Sequence, residues 1–219
     1  MAFLDETQRS EIEAAIRAAE QRTSGEFVAV VARASDEYLF LPTLYAAIAA
    51  LAIPPIAWAA ISLLATAPAD AWSAPSDLAV GLVYALQVAT FVVLALALRW
   101  PPLTMLVVPR HVKLHRARRL AHELFFRLGL HETRERTGVL LFVSVGERYV
   151  EIIADRGIHE KAPPGMWEQV VADFTGKVKA GRVSEGFTGA IAACGGLLAE
   201  HFPRAAGARS QLPDVLIQI

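Results

Sequence analysis

The sequence predicts an α/β domain split by a two-helix transmembrane hairpin, and three observations predict it. Two uncharged apolar runs stand close together in the first half of the chain. Three short runs rich in β-branched residues alternate with amphipathic helical patterns outside those runs. Basic residues flank the apolar pair, and acidic ones lie between its members.

Composition points the same way. Of 219 residues, 54% are hydrophobic and 20% charged, with a mean hydropathy of +0.39, which is too apolar for an ordinary soluble domain. The formal net charge is −1, so no basic excess suggests a nucleic-acid partner. The length accommodates one domain of about 150 residues and a membrane element. A single cysteine, Cys194, excludes an internal disulfide framework and a multi-cysteine zinc site.

No charge occurs between Glu37 and Asp70, and a second uncharged run extends from Leu78 to Leu98. Each is long enough for a hydrocarbon core of about 30 Å, which takes roughly 20 apolar residues. The crossings are expected at about residues 41–65 and 78–98, inside a hairpin unit covering 40–109. Pro54 and Pro55 should kink the first crossing. Tyr38, Tyr45, Trp58, Trp72 and Trp100 lie where aromatic side chains meet headgroups. The connecting loop holds Asp70 and Asp77 and no Lys or Arg, whereas Arg33 precedes the pair and Arg99 and Arg110 follow it. The positive-inside rule then puts both flanks in the cytoplasm and the loop outside. The amino terminus lacks a basic n-region followed by a short apolar stretch, so the first crossing is expected to serve as an uncleaved anchor.

Residues 1–39 and 110–219 remain for a single split domain. Asp5 with Gln8 makes an N-cap, and Ile12, Ala15, Ile16 and Ala19 share a helical face. Residues 26–32 form a buried strand. Beyond the hairpin, residues 111–128 read as an amphipathic helix, followed by strands at 138–145 and 148–154. Only Gly146 and Glu147 separate those two strands, which implies a β-hairpin. Helices at about 166–180 and 183–202 complete the domain, and 204–219 reads as a flexible tail. The first two strands have a helix between them and are most simply parallel.

Three groups of side chains invite chemistry. Asp36, Glu37 and Glu147 follow the first two strands, at the strand ends where open α/β sheets bind ligands, and carboxylates gathered there can hold Ca²⁺ or Mg²⁺. The plainer alternative makes them a membrane boundary and a solvated turn. Asp155, Arg156, His159 and Glu160 follow the third strand at the opposite end, and with Arg148 they are candidates to contact phosphate or a partner. Lys113, Arg116, Arg118 and Arg119 form a juxtamembrane basic patch facing anionic headgroups. Their charge opposes a cation at His111, His115 and His122, although those three share a helix face. Phosphate-loop, nucleophile-elbow, His-Glu-x-x-His and Cys-x-x-Cys motifs are all absent from the sequence.

Several pieces, in order, resemble the TPM domain family, which includes thylakoid-lumen phosphatases and bacterial membrane-anchored members. They are Thr23-Ser24-Gly25-Glu26, Ala121-His-Glu-Leu-Phe125, Thr137-Gly138 with the strand that follows, and Arg148 to Ile158. Trp167 and Ala180-Gly181 through Gly186-Phe187 continue the set. The resemblance implies an αβα sandwich with a small, mostly parallel sheet. It also implies a link with LemA-type membrane proteins and, from plant members, a weak acid phosphatase with a divalent metal in an acidic pocket. This chain departs in its inserted hairpin and in having Asp155-Arg156-Gly157 where many members have a Gly-x-Gly-like turn. The expectation is therefore a bacterial inner-membrane protein whose domain binds a partner protein or membrane lipid in envelope maintenance. The alternative is a metal-dependent phosphomonoesterase.

Overall fold

Capping, strand burial and one close backbone approach set the framework of the domain. The computed structural model describes residues 4–64, 77–133, 135–204 and 215–219. The chain separates into two compact units, Met1–Asp36 with Arg110–Ile219, and Glu37–Pro109.

In the first unit, helix α1 (Glu6–Glu20) opens on a capping box: the Gln8 amide donates to Asp5 Oδ1 at 2.7 Å, and the Asp5 amide donates to Gln8 Oε1 at 3.0 Å. Strand β1 (Glu26–Ala32) follows, then helix α5 (Arg110–Arg127), strands β2 (Gly138–Ser144) and β3 (Tyr149–Ala154), a single-turn α6 (Arg156–His159), and helices α7 (Met166–Lys179) and α8 (Val183–His201). Strand β4 (Leu216–Gln218) ends the chain. The sheet order is β3-β2-β1-β4, with β1 parallel to both β2 and β4 and β3 antiparallel to β2.

Every residue of β1 and β2 is buried, as expected of central strands covered on both faces. Phe27, Ala29 and Val31 with Val139, Leu141 and Val143 meet α1, α7 and α8 on one face; Val28, Val30, Leu140 and Phe142 meet α5 on the other. That alternation makes the unit an αβα sandwich.

The chain end departs from the expected flexible tail. Residues 205–214 lie outside the described residues, but Leu216–Gln218 pairs with β1 from Ala29 to Val31. The Ile219 amide donates to the Val31 carbonyl at 3.0 Å, and the Arg33 amide donates to the Ile219 carbonyl at 2.8 Å. Without β4, the second edge of β1 would present unpaired backbone groups beneath an apolar cover.

The second unit contains α2 (Phe40–Leu64) and α3 (Asp77–Ala97), which pack along one another, and a short α4 (Pro101–Val107). Both Pro54 and Pro55 lie inside α2. Pro101 and Pro102 open α4, where their missing amides cost no helical bond. The segments Phe40–Ala60 and Val80–Ala97 are long and apolar enough to cross a membrane, with mean hydropathies of 1.8 and 2.2. The loop at 65–76, with Trp72, lies outside the described residues.

Gly138 begins β2 where the chain passes Leu130 so closely that a Cβ would stand 2.2 Å from the Leu130 carbonyl oxygen. Gly138→Ala should therefore destabilise the domain by at least the ~1–3 kcal/mol typical of overpacking, read as a lowered midpoint in thermal unfolding.

Candidate functional site

Parallel pairing of β1 and β2 brings their carboxyl ends to one edge of the sheet, with Ala32 opposite Ser144. The pairing continues beyond the strands, as the amides of Val145 and Gly146 donate to the carbonyls of Ala32 and Arg33, both at 2.9 Å. Glu147 then folds back into this edge and is only 7% exposed. Its Oε1 accepts from the Ser35 amide at 2.9 Å. Its Oε2 accepts from the hydroxyls of Ser35, at 3.3 Å, and Ser144. The two hydroxyls are themselves 3.0 Å apart. A buried carboxylate with this many donors is satisfied where it stands and ties the loop after β1 to the β2–β3 turn.

Asp36 pairs instead with Arg116 on α5 at 3.0 Å, with both side chains partly exposed. Glu37 is exposed and begins the second unit. The three carboxylates expected to gather around Ca²⁺ or Mg²⁺ are thus employed differently. Among the described residues no group of three His, Cys, Asp or Glu side chains could hold a metal ion. The carboxylates do not fit the divalent cation that the resemblance implies.

Arg148 ends the four-residue β2–β3 turn, its amide donating to the Val145 carbonyl at 3.2 Å and its φ at 52°. Its side chain is exposed and lines a groove at this same edge. It does not join Asp155: the antiparallel register, Ser144 with Tyr149 and Val139 with Ala154, puts the two at opposite ends of β3.

At that opposite end Asp155 is buried and caps α6, its Oδ1 accepting from the Arg156 amide at 2.6 Å while Oδ2 has no hydrogen-bond partner. Arg156 and Glu160 pair with one another on the surface at 2.7 Å. The Arg156 guanidinium, by hydrogen bond and charge, holds the Glu160 carboxyl below its ordinary value. His159 is exposed. Asp155 therefore faces inward and the ion pair outward, so these residues do not line one pocket. Gly157 is required by packing, since a Cβ there would stand 2.7 Å from the Arg136 carbonyl oxygen.

The basic helix is partly committed to the sheet. Glu151 on β3 lies 3.8 Å from Arg118 and 4.0 Å from His122, and it accepts from the Tyr149 hydroxyl at 2.9 Å. Burial, then the Glu151 hydrogen bond and charge, raises the Tyr149 phenol above its ordinary value. Of the expected patch, Arg116 and Arg118 have carboxylate partners, Lys113 is half-buried, and Arg119 is exposed. Sequence reading missed Ser35, Ser144, Tyr149 and Glu151. Ser144 alone left a signal, as the polar last residue of an otherwise apolar strand. Cys194, placed in the core by its helical spacing, is buried, and burial pushes its thiol up to about 12.

Residues 103–197 match the family model described as the TPM domain. The matched stretch, less than half of the chain, is similar to a TPM domain. The match begins within α4, while α1 and β1 of the same sandwich precede the inserted hairpin. The solution structure of the BA42 protein from the psychrophilic bacterium Bizionia argentinensis shares the fold at 17% identity, with a TM-score of 0.57 over 100% of this chain and 97% of that one. No curated protein matches the chain. Within the matched stretch, the glycines of Thr137-Gly138 and Asp155-Arg156-Gly157 serve close backbone packing.

Two outcomes follow from these contacts. Glu147→Ala strands the Ser35 amide and should cost about 1–3 kcal/mol, whereas Asp36→Ala, which opens a partly exposed pair, should cost under about 1 kcal/mol in thermal unfolding. The raised Tyr149 phenol favours the neutral form in the fold, so its contribution is full below the free tyrosine value near 10 and is lost as pH rises above it. Tyr149→Phe should flatten the alkaline decline of stability, measured as unfolding midpoint against pH.

Proposed function

We propose that the protein is a membrane-anchored TPM-domain protein whose α/β domain is a binding module at the cytoplasmic surface of a bacterial inner membrane. The carrying observation is the apolar exterior of α2 and α3. In Val80–Ala97 none of the span is buried, and in Phe40–Ala60 only 17% is. Helices of a soluble core bury their apolar residues, so two bare spans of this length are suited to hydrocarbon. Basic residues on the flanks and acidic ones in the loop support cytoplasmic flanks and an external loop. Exposed Arg119 with half-buried Lys113 on α5 adds attraction to anionic lipid, at about 1 kcal/mol for each basic residue near the surface. A membrane protein of the LemA type, or another envelope component, would meet the domain there.

Phosphomonoester hydrolysis is less well supported. Of the carboxylates offered for a divalent cation, Glu147 is taken by Ser35 and Ser144 and Asp36 by Arg116, and Arg156 is taken by Glu160. Two measurements test the reading together. A reporter after Ile219 should register as cytoplasmic and one inserted in the 65–76 loop as external; a cytoplasmic loop reporter would reverse the orientation. Purified protein with Mg²⁺ or Ca²⁺ should turn over a generic phosphomonoester no faster than Asp36→Ala or Asp155→Ala. Metal-dependent turnover abolished by either substitution would make the protein an enzyme.

A further inference from the structure

The β2–β3 turn lies beside a groove of about 680 Å³, a size typical of small-molecule sites. Its wall is apolar, formed by Leu114 of α5, Val143 of β2, Val150 of β3, and Phe174 and Val178 of α7. Its lining also includes three cations from three separate elements: Arg110 opens α5, Arg148 ends the turn, and Lys179 ends α7. All three are exposed, none has a carboxylate partner among the described residues, and no Asp or Glu lines the groove. Elsewhere in the domain Arg116, Arg118, Arg156, Lys177 and Arg182 each have a carboxylate within 4 Å. Arg148 moreover occupies a backbone conformation, φ 52°, in which glycine or asparagine is ordinarily favoured.

We propose that this groove binds one molecule of an anionic lipid, its acyl chain on the apolar wall and its phosphate held by Arg110, Arg148 and Lys179. Charge complementarity selects an anion, and the apolar wall selects a ligand with a hydrocarbon portion. The inference rests on the membrane reading only for the source of the lipid, since Arg110 directly follows the unit that holds the two apolar helices.

The full chain, purified in a neutral detergent, would be titrated with oleoyl lysophosphatidylglycerol, oleoyl lysophosphatidylcholine or glycerol 3-phosphate and weighed by native mass spectrometry. One lysophosphatidylglycerol should bind at concentrations where the other two do not. Arg148→Gly combined with Lys179→Gln should weaken it by about tenfold or more, with Arg17→Gln, on α1 and outside the groove, as the unaffected control. The turn accepts glycine, so the first substitution preserves the fold, and Thr175→Trp, which fills the groove, should abolish binding independently. Equal binding of the phosphatidylcholine analogue, undiminished binding in the double variant, or equally tight binding of glycerol 3-phosphate would each overturn the proposal. Displacement of the lipid by an acidic peptide at lower concentration would overturn it in favour of a protein ligand. Alkaline extraction of membranes carrying the same chain reads the anchor separately, because release into the supernatant refutes the membrane reading whatever the lipid titration shows.

Discussion

A domain interrupted at the end of its central strand must be closed by bonds that do not rely on chain continuity. β1 ends at Ala32, the chain departs after Asp36, and the same domain resumes at Arg110. Glu147 supplies the closure. Buried, and bound by Ser35 and Ser144, it fastens the last turn before the insertion to the β2–β3 turn well beyond it. Asp36 with Arg116 adds a second tie from the departing chain to the returning helix. The backbone bonds of Gly146 and Ile219 to Arg33 fix the departing strand from both sides. These contacts make it physically possible for an apolar hairpin to be inserted in β1–β2 without loss of the sheet. They also explain why the acidic residues at this edge serve structure before chemistry: their oxygen atoms are used by the protein itself.

The TPM-type motifs have a related meaning. Gly138 and Gly157 mark places where two backbones approach too closely for a Cβ, and Thr23 caps the link between α1 and β1 by donating to the Phe202 carbonyl while accepting from the Gly25 amide. Such residues specify a sandwich and do not specify a reaction. The match is therefore a statement about architecture, and activity has to be argued from the exposed side chains of this chain. Here those include a run of cations along the start of α5 and others around the groove.

Much of this was legible in one dimension. The apolar runs, the continuous apolar stretches of β1 and β2 and the capping box at Asp5 are local patterns, set by side-chain character and hydrogen-bonding chemistry within a few residues. β4 was not legible, because two apolar residues and a glutamine after a segment rich in Gly, Ala and Pro have no period of their own; they become a strand only because β1 has an open edge. The partners of the candidate carboxylates were not legible for a similar reason. Asp36, Glu37 and Glu147 share an edge by topology, yet which partner Asp36 and Glu147 take depends on Arg116 and Ser35, which lie far away in the sequence, as well as on the nearby Ser144.

By itself the sequence determined the composition of the layers, the parallel β1–β2 pair, the β-hairpin and two helices apolar enough to span a bilayer, since each follows from periodicity, run length and charge order. Tertiary structure alone decided the identity of the site. It turned Glu147 inward, separated Arg148 from Asp155 by the length of β3, and assembled Arg110, Arg148 and Lys179 around one apolar groove. Long-range pairing of charged and polar groups is selected by packing and desolvation in the finished fold, and neither quantity has a local signature in the chain.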